Sequence, residues 1–441
     1  MPENTFEAGF AQREYTPEPG LDLHGQMYQR VSEGTRDPLS ANAIALRQGD
    51  TSIVLVTLDV VSLEEGFVRE TQRMFQEKYD IPGTNLLLHA THTHVAAGIR
   101  GGATRHGVDP DYVARVQEKA LEATSAALGD LESVELYAGC GHLEHMGWNR
   151  RAMFDDGSSR MYGHSEQPGF VGLEGPRDPQ LPVLFAKNSE GKVKGVLINF
   201  ASHPNTMENA RRYSADYPGE VRRLVSAALG GAGVIYLTGA AGNTAPSILD
   251  PNANPQPWRN EEGLVRSGMY MAGEALKVIA STLEPMENPT LELEHTVLQV
   301  PMREWPKPEE TWYPHVEKPH QIENYKKAKA AWPDLYETNN PVAVPLNVLR
   351  IGDAVLCTNP AELFVEFGLA IKEASPAKVT FIGELSDGYV GYVPTPKAFS
   401  RGGYETWPSP GSRLVIEAGD QIVEATRELL AKVFADQSLV S

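Results

Sequence analysis

The sequence predicts an α/β fold: a mixed β-sheet core flanked by helices, with a metal site at the strand ends. Three observations predict it. Residues 53–58 are an apolar run, 64–79 carry apolar residues at helical spacing (Phe67, Met74, Phe75), and Leu86-Leu87-Leu88 is again apolar; strand, helix and strand in that order build parallel sheet. Residues 41–58, 183–200 and 346–358 read instead as strand pairs that turn at Gln48-Gly49-Asp50, at 188–191 and at Gly352-Asp353. Two of the apolar strands, far apart in the chain, run out into histidines.

The first of these strands delivers His89, His92 and His94 within six residues. In an extended chain, residues two apart point the same way, which predicts that His92 and His94 face one cavity while Thr91 and Thr93 face away. Imidazole serves both as metal ligand and as proton carrier near neutral pH, so the pair suits a ligand and an acid/base; the alternative is three histidines hydrogen-bonded in a polar loop. Asp59, at the end of the preceding strand, is either a turn or cap aspartate or the carboxylate that orients a ligand histidine.

Further along, 98–107 is a glycine-rich connector with Arg100, Arg105 and His106, and 111–128 is a helix stopped by Gly129. After a strand at 134–138 come Asn149, Arg150 and Arg151, where either arginine suits a two-pronged contact to a carboxylate or oxyanion, or else simple surface charge. The strand 195–200 ends in Ala201-Ser202-His203-Pro204, repeating the layout of the first site. Then follow Asp216, a helix over about 219–229, the strand 234–237, and the small-residue loop Gly239 to Pro246, where backbone can approach a ligand closely. Residues 251–258 are rich in proline and asparagine, and a helix then runs to about 281. The stretch 301–345, with an amphipathic helix near 320–331, reads as an excursion over the surface or a cap. Pro360-Ala361-Glu362 is predicted to open a helix that buries Leu363, Phe367, Ala370 and Ile371, which would put Glu362 and Glu366 one turn apart. A strand at 379–382, Tyr389-Val390-Gly391-Tyr392 and a helix over 416–434 complete a single-domain reading of 1–441.

Composition narrows the partners. With 39 basic and 58 acidic residues the formal charge is −19, which disfavours nucleic acid and anionic membrane surfaces. Only Cys140 and Cys357 are present, so neither a disulfide framework nor a cysteine zinc motif is available. No stretch of eighteen apolar residues and no basic, apolar leader occurs, and the expectation is a cytoplasmic protein acting on a small molecule without membrane insertion, with homo-oligomerisation left open.

Several short motifs occur in one order along nearly the whole chain: Glu14-Tyr15-Thr16-Pro17, Asp37-Pro38-Leu39, Thr91-His92-Thr93-His94, Asn149-Arg150, Phe200-Ala201-Ser202-His203-Pro204, Gly242-Asn243-Thr244-Ala245-Pro246, Ala361-Glu362-Leu363-Phe364 and Tyr389-Val390-Gly391-Tyr392-Val393. On these residues the chain resembles the catalytic domain of the neutral/alkaline (non-lysosomal) ceramidases, a family of zinc amidases, as a bacterial-type member limited to the catalytic domain. The resemblance implies Zn²⁺ held by His92, His203, Glu362 and a tyrosine of the Tyr-x-x-Tyr motif, with Tyr389 chosen over Tyr392. It implies His94 as acid/base and Arg150 as the arginine that stabilises an anion or orients substrate. Nitrogen and oxygen ligands of this kind suit Zn²⁺.

Two departures qualify what is carried over. Ceramidases have Gly-Asp-x-Ser-Pro where this chain has Gly242-Asn243-Thr244-Ala245-Pro246, so no serine hydroxyl stands at Ala245. The sequence also stops soon after the tyrosine motif, and no carboxy-terminal β-sandwich is expected. The function expected is therefore a zinc hydrolase that uses activated water on an amide of a small soluble N-acyl compound. An ester or lactone is the near alternative, and a lyase or isomerase of a hydroxylated carbonyl metabolite is a second. A metal- or carbohydrate-binding protein without turnover is the non-enzymatic rival, which the presence of His94 and Arg150 argues against.

Overall fold

The computed structural model describes residues 5–101, 107–163, 165–246, 259–305 and 319–435. Eight strands form the larger sheet, in the spatial order Gly233–Thr238, Val193–Phe200, Gln180–Asn188, Glu132–His142, Phe6–Glu14, Ser40–Gln48, Thr51–Leu58 and Leu86–Ala90. Its interior is antiparallel and its two edges are parallel, Gly233–Thr238 beside Val193–Phe200 and Leu86–Ala90 beside Thr51–Leu58. The mixed character predicted from one strand–helix–strand unit and several strand pairs is thus present. A second sheet, which the sequence reading does not separate from the first, orders Leu291–Val300, Val342–Ile351, Ala354–Thr358 and Val379–Gly383, with only the last pair parallel.

Side-chain alternation shows how these layers stack. In the strand Thr51–Leu58, Val54, Val56 and Leu58 pack with Phe67, Phe75, Tyr112 and Val116 of the helices Glu65–Tyr79 and Pro110–Gly129. Ile53 and Leu55 face the other way, into a core shared with Leu349, Leu356 and Phe381 of the second sheet. Strands buried on both faces read as unbroken apolar runs, which is why these were visible in the sequence. The helices Asp216–Ala228 and Glu261–Ser281 cover the other half of the large sheet, and Val365–Ala374 and Ala418–Val433 cover the outer face of the second. The order is helix, sheet, sheet, helix. Among the described residues, no helix is long and apolar enough to cross a membrane.

Two sequence expectations change here. Glu362 does not open a helix: Ala361–Leu363 is a short strand parallel to Gly391–Val393, and the helix begins only at Val365. Pairing with Gly391–Val393, together with main-chain bonds from Leu385 N to Ala361 O and from Gly242 N to Leu363 O, overrides helix propensity at this point, and alternation then buries Ala361 and Leu363 in apolar core while Glu362 points the opposite way. The excursion over 301–345 is also partly core. The helix Pro319–Asn339 packs Trp332 into the core of the second sheet and buries Ala328, and Val342 already belongs to a strand; residues 306–318 lie outside the described residues.

Asp59 resolves as neither a simple cap nor a histidine partner. Fully buried, it accepts both Arg222 Nη1 (3.0 Å) and Nη2 (2.6 Å), Ser40 N (2.9 Å) and Oγ (3.1 Å), and Thr91 Oγ1 (3.1 Å). One carboxylate therefore ties the helix Asp216–Ala228 to the strand ends that precede His92. Truncation at Asp59→Ala leaves a buried guanidinium without its anion and is expected to cost about 3–5 kcal/mol. Denaturant unfolding checks this, and the double variant Asp59→Ala/Arg222→Met, which removes both charges, is expected to recover part of the loss.

Candidate metal centre

Beyond Ala90 the chain leaves the sheet and turns, with Thr91 N on Leu58 O at 2.9 Å and His92 N on Val60 O at 3.0 Å. His92 itself has φ of 69°, a left-handed conformation uncommon for a non-glycine residue. Strand alternation, the sequence argument for bringing His92 and His94 together, therefore does not apply. They do converge, with their Nε2 atoms 3.3 Å apart, but the turn brings this about.

His92 donates its Nδ1 proton to Val61 O at 2.6 Å, and His203 donates its own to Ala241 O at 2.7 Å. A proton on Nδ1 leaves each Nε2 as a bare acceptor. Both face the same carboxylate oxygen: Glu362 Oε2 lies 3.5 Å from His92 Nε2 and 3.3 Å from His203 Nε2. His203 Nε2 and Glu362 Oε2 have no hydrogen-bond partner, and all three side chains are buried. Burial, with Arg150 and His92 nearby, holds His203 down to about 3, so no proton on that ring relieves the contact at neutral pH. Three converging lone pairs are an arrangement that a cation satisfies, and tetrahedral zinc with ligands at about 2.1 Å sets ligand–ligand edges of about 3.4 Å. Among the described residues, His92, His94 and His203 also form a grouping able to hold a metal, their ligand atoms within 4.8 Å of one another.

Each donor is fixed from behind. Tyr389 Oη donates to the other Glu362 oxygen at 2.6 Å, and the Arg100 guanidinium lies 4.0 Å from the Tyr389 ring centre. Tyr392 is the register partner of Glu362 across the short parallel pair, and its ring lies nearly parallel to that of His203. Its Oη accepts from Arg150 Nη2 at 3.1 Å. Arg150 also donates from Nε to Glu405 (2.9 Å) and from Nη2 to Gly242 O (2.9 Å), while Arg151 is closed off by Glu405 (2.7 Å), Glu174 (2.9 Å) and Gly402 O (2.6 Å). Both arginines are buried, so neither is surface charge.

The loop after Thr238 is the hub. Ala241 O holds His203, Gly242 N donates to Leu363 O at 2.9 Å beside Glu362, and Gly242 O and Asn243 O receive Arg150. An added Cβ at Gly242 would lie 2.4 Å from Glu362 O, which explains the glycine. Ala245 is buried at the end of this loop and pairs with Trp148. Glu384, which no sequence signal flagged, accepts from Ala241 N (3.0 Å) and Leu363 N (2.9 Å), and burial pushes its carboxyl well up. Glu405 was equally silent, being 255 positions from Arg150.

His89 and Asp216 stand outside the cluster. His89 Nε2 accepts from Thr238 N at 3.0 Å and its Nδ1 meets Ser386 Oγ at 3.0 Å, so it ties the two edges of the large sheet to the loop of the second. Asp216 accepts from Thr206 Oγ1 (2.5 Å) and Met207 N (2.9 Å), fixing the loop that follows His203.

No protein-family model matches the chain. Over 185 residues the chain is 29% identical to the neutral ceramidase of Pseudomonas aeruginosa strain PAO1, covering 39% of this chain and 26% of that protein. The match therefore spans about a quarter of the relative's length. The crystal structure of neutral ceramidase from Pseudomonas aeruginosa superposes with a TM-score of 0.75 at 18% identity, over 97% of this chain and 74% of that one. A ceramidase complexed with C2 gives 0.76 at 18% identity, over 98% and 76%. The chain shares the neutral ceramidase fold over nearly all its length.

Burial also pulls His89 down to about 3, and the two histidines together set an acid limit on stability. The unfolded chain binds protons near 6.5 that folded His89 and His203 refuse until about 3, so their contribution is intact above 6.5 and is lost as pH falls toward 3. Each adds a slope of up to about 1.4 kcal/mol per pH unit. Urea midpoints of the metal-free protein between neutrality and mild acid are expected to fall on that slope, and more gently in His89→Gln.

Proposed function

We propose that the chain is a zinc-dependent hydrolase that cleaves the amide of a small, soluble N-acyl compound. The observation that carries this reading is the set of acceptors in which His92 Nε2 and His203 Nε2 lie 3.5 and 3.3 Å from Glu362 Oε2, inside a ceramidase fold. These three residues would hold the ion. For the fourth position Tyr392 is better supported than Tyr389, because the Tyr389 proton is committed to Glu362 while the Tyr392 oxygen is left to accept from Arg150; burial and the Glu362 charge hold the Tyr392 phenol well up in spite of that arginine, so a bound cation would have to displace its proton. A zinc ion there supplies Lewis acidity and lowers the pKa of water toward neutrality.

The protein's own groups supply the proton transfers. Burial beside His92 and His203 holds His94 well below its usual pKa, so it starts neutral and is suited to take a proton from attacking water. The same nitrogen then returns that proton to the departing amine. Proton transfer of this kind is worth roughly 10² to 10⁴ in rate. Arg150 acts through Tyr392, holding the phenol against the cluster, and its Nε and Nη2 are already engaged. Ala245 offers no hydroxyl, which supports water as the nucleophile and argues against a covalent acyl-enzyme. Esters and lactones are open to the same chemistry. The net charge of −19 supports a small metabolite over a polyanion.

Metal analysis is the direct test: one zinc per chain is expected in the natural protein, with large losses in His92→Ala and His203→Ala. Near-stoichiometric zinc in both variants overturns the ligand set. His94→Ala is expected to keep its zinc and lose a factor of about 10² or more in turnover; loss of zinc there makes His94 the fourth ligand. Hydrolysis in ¹⁸O-labelled water is expected to label the carboxylate product, which a lyase or isomerase would not do. A short N-acyl substrate is expected to outpace long-chain ceramide in detergent, and the reverse ranking would return the chain to lipid substrates.

A further inference from the structure

The three histidines of the cluster differ in what stands behind them. His92 and His203, the proposed ligands, each give Nδ1–H to a neutral main-chain carbonyl. Behind His94 there is a carboxylate: Glu208 Oε2 lies 3.7 Å from His94 Nδ1, in a place where Nδ1 has no hydrogen-bond partner. That distance is about 0.5 Å beyond an ordinary N–H···O bond, a gap that a small ring rotation closes. Glu208 is itself 5% exposed, and a carboxylate is not buried without a purpose for its charge.

The carboxylate is fixed on its other sides. Asn205 Nδ2 donates to Oε2 at 2.9 Å, and Arg259 pairs with Oε1. Beneath both residues lies Arg30, 1% exposed, whose guanidinium binds four main-chain carbonyls. Nη1 donates to Glu208 O at 2.6 Å and Nη2 to His94 O at 2.7 Å, so one rigid planar group sets the spacing between the two backbones. Glu208 and His94 are far apart in sequence, and the guanidinium joins them.

We propose that Glu208 is the positioning residue for His94, its carboxylate holding the imidazole with Nδ1–H inward and Nε2 turned toward the donor cluster. The logic is that of a base oriented by a buried acid, which fixes tautomer and ring angle without touching substrate. This inference rests on the reading of His94 as the proton carrier, and it assigns the selection of its tautomer to a residue outside the motifs.

Two arms test it. In the first, wild type, Glu208→Gln and Glu208→Ala are compared on p-nitrophenyl butyrate, whose leaving group needs no proton, and on N-butyl butyramide, whose leaving group does. Amide kcat is expected to fall about tenfold to a hundredfold with KM and zinc content little changed, while ester kcat falls by a clearly smaller factor, because the ester uses His94 only to take the proton of water and not to return it to the leaving group. Equal losses on both substrates, or loss of zinc, reduce Glu208 to a structural counter-ion for Arg259 and overturn the proposal. In the second arm, ¹⁵N-histidine NMR of the zinc-loaded protein, in which the ion would occupy the His92 Nε2 lone pair that otherwise draws a proton onto His94 Nε2, with His94 assigned by its absence in His94→Gln, is expected to show the Nδ1–H tautomer in wild type and a shift toward Nε2–H in the Glu208 variants. An unchanged tautomer overturns the proposal. Should Glu208→Ala fail to fold, Glu208→Gln carries both arms. A wild type inert on both substrates counts against the hydrolase reading, and the NMR arm then decides Glu208 by itself.

Discussion

Buried lone pairs on His92 Nε2 and His203 Nε2, each within 3.5 Å of the Glu362 Oε2 lone pairs, form the contact on which the site depends. Left to relax, such acceptors would separate or take up a proton. The protein prevents the first by fastening each ring and the carboxylate from behind, to Val61 O, to Ala241 O and to Tyr389 Oη, and burial opposes the second at His203. The cost of this arrangement is borne by the fold, and a cation would return it on binding.

Bringing those donors together is a problem of sheet geometry. His92 and His203 follow strands near opposite edges of an eight-stranded sheet, and those strands run in opposite senses through the alternating ladder. Twist of about 20–25° between neighbours, accumulated over seven steps, amounts to roughly half a turn and swings the two edges toward a common end. Thr238 seals the meeting, its N–H on His89 and its hydroxyl on Thr91 O at 2.8 Å. The second sheet then inserts the strand Val379–Gly383 against Asn199, whose side chain bonds Ile382 O at 2.8 Å and Ile382 N at 3.0 Å. Glu384 and the short strand holding Glu362 arrive with it.

Buried charge surrounds this meeting point. Asp59 with Arg222, Glu405 between Arg150 and Arg151, and Arg30 among four carbonyls all lie within the fold. Pairs of this kind contribute little net stability once desolvation is counted. Their contribution here is geometric: each joins segments a hundred or more residues apart and fixes an angle, whether of the turn before His92, of the Tyr392 phenol or of the His94 backbone. Apolar packing sets the layers, and these ionic ties set the orientation of the donors.

The apolar runs at 53–58, 86–88 and 195–200 were legible because both faces of those strands are buried, a property that depends only on local composition. His92, His94 and His203 were legible because they follow such runs, and Glu362 and Tyr389 became legible through the resemblance of ordered motifs. Tertiary structure decided the rest. Glu362 lies on a strand because pairing with Gly391–Val393 outweighs its helical neighbourhood, and His92 meets His94 through a left-handed turn that no spacing rule encodes. Asp59, Glu208, Glu384 and Glu405 carry no local signature, since a carboxylate's role depends on which cation or donor lies beside it. Those neighbours, Arg222, His94, Ala241 and Arg150, come from elsewhere in the chain. A sequence fixes periodicity and residue chemistry over a few turns; which charges become neighbours is set only when the sheets twist and close.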